Sequence, residues 1–298
     1  MSQSPQEIEK EIKDLESEIA QPGFWSNKDS AQEKILRLKE LKLELEGGNK
    51  LDQGGAVLNI LAGAGGEDSE DWVRMLLNMY LKYFEKQNWQ VSFLHQHKNE
   101  QGGFRNLSLE IFGKNVYGAI KNESGVHRLV RISPFNAKAK RHTSFALVEV
   151  LPILPKTDFE NFKNSIKNEE ISLETFKASK PGGQNVNKRE TAVRLVHKPS
   201  GLTVHISSER SQERNKEKAF ALLYAKLFKL AEEKKKAELE GKSLAKITER
   251  EWGNQIRNYV THPYKLVKDL RTNFETKEVE KILEKGEIEG FIAAEKNL

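Results

Sequence analysis

The chain has 298 residues, 37% hydrophobic and 31% charged, with a net charge of +5; this exceeds one ordinary core and predicts two or three domains in a soluble, elongated particle. No apolar run approaches the roughly 18 residues of a membrane span, and Met1-Ser2-Gln3-Ser4-Pro5 leads into acidic helical sequence rather than a secretory signal. The absence of cysteine excludes disulfides and thiolate metal sites; a cytoplasmic setting with no metal and no cofactor is expected.

Ile8, Ile12, Leu15 and Ile19 recur at helical spacing and predict a helix over residues 6–20, stopped by Gln21-Pro22-Gly23. A second helix is predicted from about Lys28 to Glu46, with Ile35, Leu38, Leu41 and Leu45 on one face and Gly47-Gly48 at its end. Together they form a small helical hairpin, residues 1–50. It is acidic, because residues 1–20 hold six acids against Lys10 and Lys13. Residues 49–55 read as a linker.

An α/β segment, 54–154, follows. Ala56 to Leu61 reads as a strand, Gly63-Ala64-Gly65-Gly66 as a turn, and Glu67 opens a helix. Its first turns carry Glu67, Asp68, Glu70 and Asp71, where the helix dipole favours acids. Its apolar face is Trp72, Met75, Leu76, Met79 and Phe84. Further strands are predicted near Val91–His95, Leu107–Phe112, Val126–Ile132 and Thr143–Val150, with a short helix near Val116–Lys121. Pro152 and Pro155 mark a boundary. An α+β piece, 155–245, then has strands at Ile171–Phe176, Thr191–His197 and Leu202–Ser207 and a long helix from about Gln212 to near Gly241. The tail, 246–298, carries one amphipathic stretch with Val279, Ile282 and Leu283.

Positive charge gathers in two places. Residues 120–142 hold Lys121, Arg128, Arg131, Lys138, Lys140 and Arg141 against Glu123 alone, and residues 176–218 hold ten Lys and Arg against four Glu. Two basic regions predict two contacts with a polyanion, the plain alternative being solvated surface. The second region contains Ser179-Lys180-Pro181-Gly182-Gly183-Gln184-Asn185-Val186-Asn187-Lys188. Two glycines after a proline allow positive φ and close backbone approach to a partner. Gln184 does not titrate near neutrality, so chemistry here is confined to positioning and to hydrogen bonds onto developing charge. The same residues also suit a polar turn.

The run Gly182 to Lys188, followed by Thr191-Ala192-Val193-Arg194-Leu195, resembles the GGQ region of the bacterial class I peptide chain release factors. Gly125 to Phe135 with Arg141-His142-Thr143-Ser144-Phe145 is similar to the codon-reading region of that family. Arg210-Ser211-Gln212, Asn215-Lys216, Trp252 to Val260 and Lys268 to Thr272 continue the match in family order. Ser133-Pro134-Phe135 resembles the tripeptide of the type that reads UAA and UGA.

The resemblance implies an α+β multidomain fold: an N-terminal helical hairpin, an α/β codon-recognition superdomain completed by the C-terminal segment, and an α+β GGQ domain between them. It implies translation termination. Gly182, Gly183 and Gln184 would promote hydrolysis of the P-site peptidyl-tRNA ester. Ser133, Pro134, Phe135, His142, Thr143, Arg131 and Asp68 would recognise the codon, with His142 stacked on the second base and Thr143 bonded to the third. Trp252 would serve the switch loop. The implied partners are the 70S ribosome, ribosomal RNA, the messenger's stop codon, a glutamine methyltransferase modifying Gln184 and a GTPase-type recycling factor; the free chain would be a monomer off membranes.

Three departures from the family stand out. The loop reads Ser179-Lys180-Pro181 where Ser-Gly-Ala is usual, Asp68 stands where glutamate is typical, and the N-terminal helical piece is short. Two other readings compete. A codon-independent ribosome rescue hydrolase shares GGQ but lacks the Ser-Pro-Phe region and ends in a basic tail, whereas this chain ends Glu295-Lys296-Asn297-Leu298. In a non-hydrolytic RNA-binding protein, GGQ is only a turn.

Overall fold

The computed structural model describes residues 5–19, 24, 31, 34–35, 38, 41, 50–155, 159–160, 162–163, 166–177, 190–239 and 255–296. Gly182, Gly183, Gln184, Trp252, the Lys180-Pro181 departure and most of the predicted second helix lie outside them. The chain divides into two units, Met1–Gln53 and Gly54–Leu298.

In the first unit, helix α1 spans Pro5–Ile19. Its apolar positions meet a partner at helical spacing: Ile12 and Leu41 are buried, with Leu15 and Leu38 packed beside them. Lys34 pairs with Glu18 at 2.5 Å.

The second unit is built on an eight-stranded sheet in the order β11-β10-β9-β4-β5-β1-β3-β2. Its strands are β1 (Ala56–Ala62), β2 (Gln90–Lys98), β3 (Phe104–Phe112), β4 (Gly125–Ile132) and β5 (Arg141–Pro152), then β9 (Gln255–Val260), β10 (Leu266–Asp269) and β11 (Glu275–Thr276). Every pairing is antiparallel except β4 with β9, where Val130 faces Val260. A parallel neighbour needs a long crossover. Here the crossover contains a second, three-stranded sheet, β6 (Ile171–Phe176), β7 (Ala192–His197) and β8 (Thr203–Ile206), in that order.

Helix α2 (Glu67–Lys86) covers one face of the large sheet, with Trp72, Leu76, Met79, Tyr80 and Phe84 fully buried. A short helix, α3 (Val116–Ile120), precedes β4. Helix α4 (Gln212–Leu239) packs on the small sheet and reaches the large one. Strand β1 shows the consequence. Leu58 and Ile60 enter the core under α2, while Val57 joins Leu94, Leu151 and Leu223 in the core under α4. A strand covered on both faces reads as a continuous apolar run rather than an alternation.

The sequence reading found no strands in the tail, yet β9, β10 and β11 lie there, followed by α5 (Val279–Lys285) and α6 (Glu289–Glu295). The reason is a buried ion cluster that breaks their apolar pattern. Arg257 of β9 is fully buried and bonds Glu123 at 2.6 Å, Asp269 of β10 at 3.4 Å and Glu295 of α6. Arg271 joins Asp269 at 2.8 Å and Glu295 at 2.7 Å. Tyr80 of α2 donates to Glu123 at 2.7 Å. The cluster therefore ties the tail to α2.

Candidate codon-reading site

Helix α2 begins where the turn after β1 forces the chain close to β5. Gly63 donates to the Phe145 carbonyl at 2.8 Å, and Phe145 donates back to the Ala64 carbonyl at 3.2 Å. Gly65 has φ +136°, a region that L side chains avoid, and a Cβ there would sit 3.2 Å from Cβ of Ser69. The turn thus delivers the first residues of α2, with their free N–H groups and positive dipole end, to the end of β4 and the start of β5.

Asp68 is the hub of what gathers there. It is only 4% exposed. Its Oδ2 accepts from Ser133 Oγ at 2.7 Å and from His142 Nδ1 at 2.7 Å; its Oδ1 accepts from Arg131 Nη2 at 3.2 Å. Arg131 also reaches Asp71 Oδ2 at 2.7 Å. Burial pushes the Asp68 carboxyl up, but the hydrogen bonds from Ser133 and His142 and the Arg131 charge outweigh it and hold it below its ordinary value. A carboxylate fixed by three donors is a rigid anchor for the groups around it.

The loop between β4 and β5 hangs from that anchor. Ser133 is buried, donates its N–H to the Lys140 carbonyl at 3.0 Å, and accepts the Phe135 N–H on its Oγ at 3.2 Å. Phe135 is 40% exposed, although an apolar ring gains from burial. Pro134, Lys138, Lys140 and Arg141 are exposed beside it. His142 and Thr143 are half-buried on β5, opposite Arg131 and Val130. Ser133, Phe135, His142, Thr143, Arg131 and Asp68 therefore occupy one end of one sheet, with an aromatic ring and positive charge turned outward. Stacking surfaces beside cations suit single-stranded RNA.

Two residues that the sequence reading left without a role belong to this cluster. Asp71, one turn after Asp68, is the second acceptor for Arg131; the i,i+3 spacing of the two acids was visible, but their only evident use was the helix dipole. Asn136 places its amide Nδ2 3.2 Å from His142 Nε2, and nothing in a loop residue's sequence position announces that contact. Among the described residues, no group of His, Asp and Glu is arranged to hold a metal ion, and no helix is long and apolar enough to cross a membrane.

The chain has recognisable relatives. Residues 6–148 match the family described as the PCRF domain, and residues 160–271 match the RF-1 domain. The chain is 43% identical over 290 residues to peptide chain release factor 2 of Thermotoga petrophila, covering 97% of this chain and 76% of that one. It is 38% identical over 341 residues to the chloroplastic peptide chain release factor PrfB1 of Arabidopsis thaliana, covering 97% and 74%. Among solved structures it resembles RF2 of Thermus thermophilus, with a TM-score of 0.74, 30% identity and coverage of 98% and 95%.

Proposed function

The chain belongs to the peptide chain release factors and ends translation at UAA and UGA; on that premise we propose how its residues divide the work. Residues 54–154, completed by the 246–298 segment, form the codon-recognition domain. Residues 155–245 form the GGQ domain, and residues 1–50 form a short helical domain. The factor works on the ribosome, and we infer that it hydrolyses no ester away from it.

The observation that carries the codon-reading assignment is the convergence of Ser133, His142 and Arg131 on the buried Asp68 carboxylate. Phe135 stands exposed beside them, next to the basic end of β5. In our reading the codon lies across this end of the sheet. Ser133 donates a hydrogen bond to Asp68 and accepts one from the Phe135 N–H, and its oxygen has a second lone pair left to accept from a base. Adenine offers N6–H and guanine N1–H, so one oxygen serves the second position of both UAA and UGA. Asp68 acts as the anchor of this reader, its carboxylate satisfied inside the protein. Thr143 reads the third base, and Trp252 couples decoding to placement of the tip.

Gly182, Gly183 and Gln184, the tip of the GGQ domain in this proposal, act in the peptidyl transferase centre. A backbone N–H stabilises the charge that develops as water attacks the ester, and the Gln184 amide positions that water. A methyltransferase that modifies Gln184 and a GTPase that recycles the factor complete the partners.

Alanine at Gly183 or Gln184 tests the tip. Each variant is expected to keep its affinity for ribosomes halted at UGA and to lose about 100- to 1,000-fold in release rate, the scale of losing one oriented donor. Unchanged release by Gly183→Ala would overturn the assignment.

A further inference from the structure

We propose that Asn136 is a positioning residue for decoding: with Asp68 it locks the His142 ring in the tautomer that carries its proton on Nδ1, so that the codon meets the ring's face and never its nitrogens. This deepens the codon-reading proposal and rests on it.

A chain of hydrogen bonds runs outward from the backbone to the ring. The N–H of Lys138 donates to Asn136 Oδ1 at 2.9 Å, and the Ala139 N–H donates to the Asn136 carbonyl at 2.9 Å. With its oxygen occupied, the Asn136 side chain turns its NH2 group to His142 Nε2 at 3.2 Å. An NH2 group can only donate, so Nε2 must accept. The other ring nitrogen faces Asp68 Oδ2 at 2.7 Å. That carboxylate also receives Ser133 and Arg131, so it can only accept and Nδ1 must donate. The ionisable group that the ring itself meets is Asp68, which faces Nδ1 and leaves Nε2 to Asn136. The partner on one nitrogen fixes the proton on the other, as second partners fix ligating histidines.

The consequence is chemical. A histidine with a free nitrogen could exchange hydrogen bonds with any base and would blur selection. Here both nitrogens are used within the protein, while the side chain stays 39% exposed. Stacking on a ring face favours large π-surfaces and is indifferent to the donor and acceptor pattern of the edge. Second-position purines are therefore favoured for size, and A is not separated from G, as reading both UAA and UGA requires.

The test uses the full chain with 15N-labelled histidine rings and a long-range proton–nitrogen correlation spectrum, the His142 signals being identified by their loss in His142→Gln. The wild type should show the Nδ1–H pattern. Asn136→Asp puts an acceptor in place of the donor and should add a proton at Nε2, giving the doubly protonated ring, while Asn136→Ala, with Asp68 still holding the proton on Nδ1, should leave Nε2 without its donor and shift its 15N signal. On programmed ribosomes, Asn136→Ala should raise the concentration for half-maximal release at UGA about tenfold, with a smaller change in the saturated rate, and should raise release at UCA relative to UGA. A wild-type proton on Nε2 overturns the proposal. So does a variant that releases less while the ring pattern stays as in wild type, which would reduce Asn136 to a fold-maintaining residue. If the wild type shows the predicted tautomer but fails to release at UGA, the codon-reading assignment falls while the ring clamp stands.

Discussion

At the scale of single residues, Asp68 decides how the site is held. Three donors and burial fix its carboxylate, and removing the charge leaves Asp71 as the carboxylate that pairs with Arg131. Asp68→Asn is expected to destabilise the chain by about 2–3 kcal/mol at neutral pH, measured by urea unfolding, because a largely buried ion pair loses one partner. The pH dependence has a definite sign. A carboxyl lowered in the folded chain contributes stability that is present above its unfolded value, 3.8, and lost as pH falls through the folded value. The difference between wild type and Asp68→Asn should therefore shrink as the solution is acidified below about pH 4; a constant difference would contradict the assignment. Much of this site was legible beforehand, because Arg131, Ser133, His142 and Thr143 lie in motifs with a known order. That Ser133 is buried and Asp68 inward-facing was not legible. Polar residue types near a loop suggest exposure, and only the packing of α2 against β5 reverses that expectation.

At the scale of elements, the tail is held by charges in the core. Three carboxyl groups, Glu123, Asp269 and Glu295, share Arg257 and Arg271. Glu295 touches both guanidinium groups, yet burial and the nearby Glu123 charge push its carboxyl up to about 8. Burial pushes His127, beside them, down to about 4. A raised carboxyl stabilises the fold fully below its unfolded value, 4.5, and loses that contribution as pH rises towards about 8. The lowered His127 works the other way, but its effect is complete above 6.5. Between pH 6.5 and about 8 the His127 term no longer opposes that of Glu295, whose loss should lower the unfolding free energy there by up to about 2 kcal/mol. Glu295→Gln should flatten that decline, and an unchanged slope in the variant would contradict the reading. The same charges explain why β9 and β10 escaped the sequence reading. They are six and four residues long, and a buried Arg257 or Asp269 counts as polar in any alternation. The longer apolar strands β1, β4 and β5 carried a clear signal.

For the whole second unit, the organising feature is a sheet buried on both faces, with α2 on one and α4 with the small sheet on the other. Polar contacts fix the second packing: Lys226 of α4 meets Glu149 of β5 at 2.8 Å, Asn59 donates to the same carboxylate at 2.7 Å, and Lys229 donates to the Val150 carbonyl at 3.1 Å. Burial pushes Glu149 up, and Lys226 and Lys229 overcome it, leaving its carboxyl lowered. Lys226→Met leaves that carboxylate short of a partner and should cost about 2–3 kcal/mol in urea unfolding, with Glu149→Gln added to the same chain restoring part of the loss. No recovery in the double variant would show that the pair is not coupled. None of this was readable in the chain order, because Glu149 and Lys226 lie in separate predicted domains and only the fold brings them together.

Whether this chain converts recognition of a particular triplet into release of the nascent peptide is decided by measuring release from ribosomes carrying UAA, UGA, UAG or a sense codon in the vacant site. Rapid release at UAA and UGA, with UAG and the sense codon near background, is the predicted result. Equal release at all four would contradict it and favour a rescue hydrolase that ignores the codon.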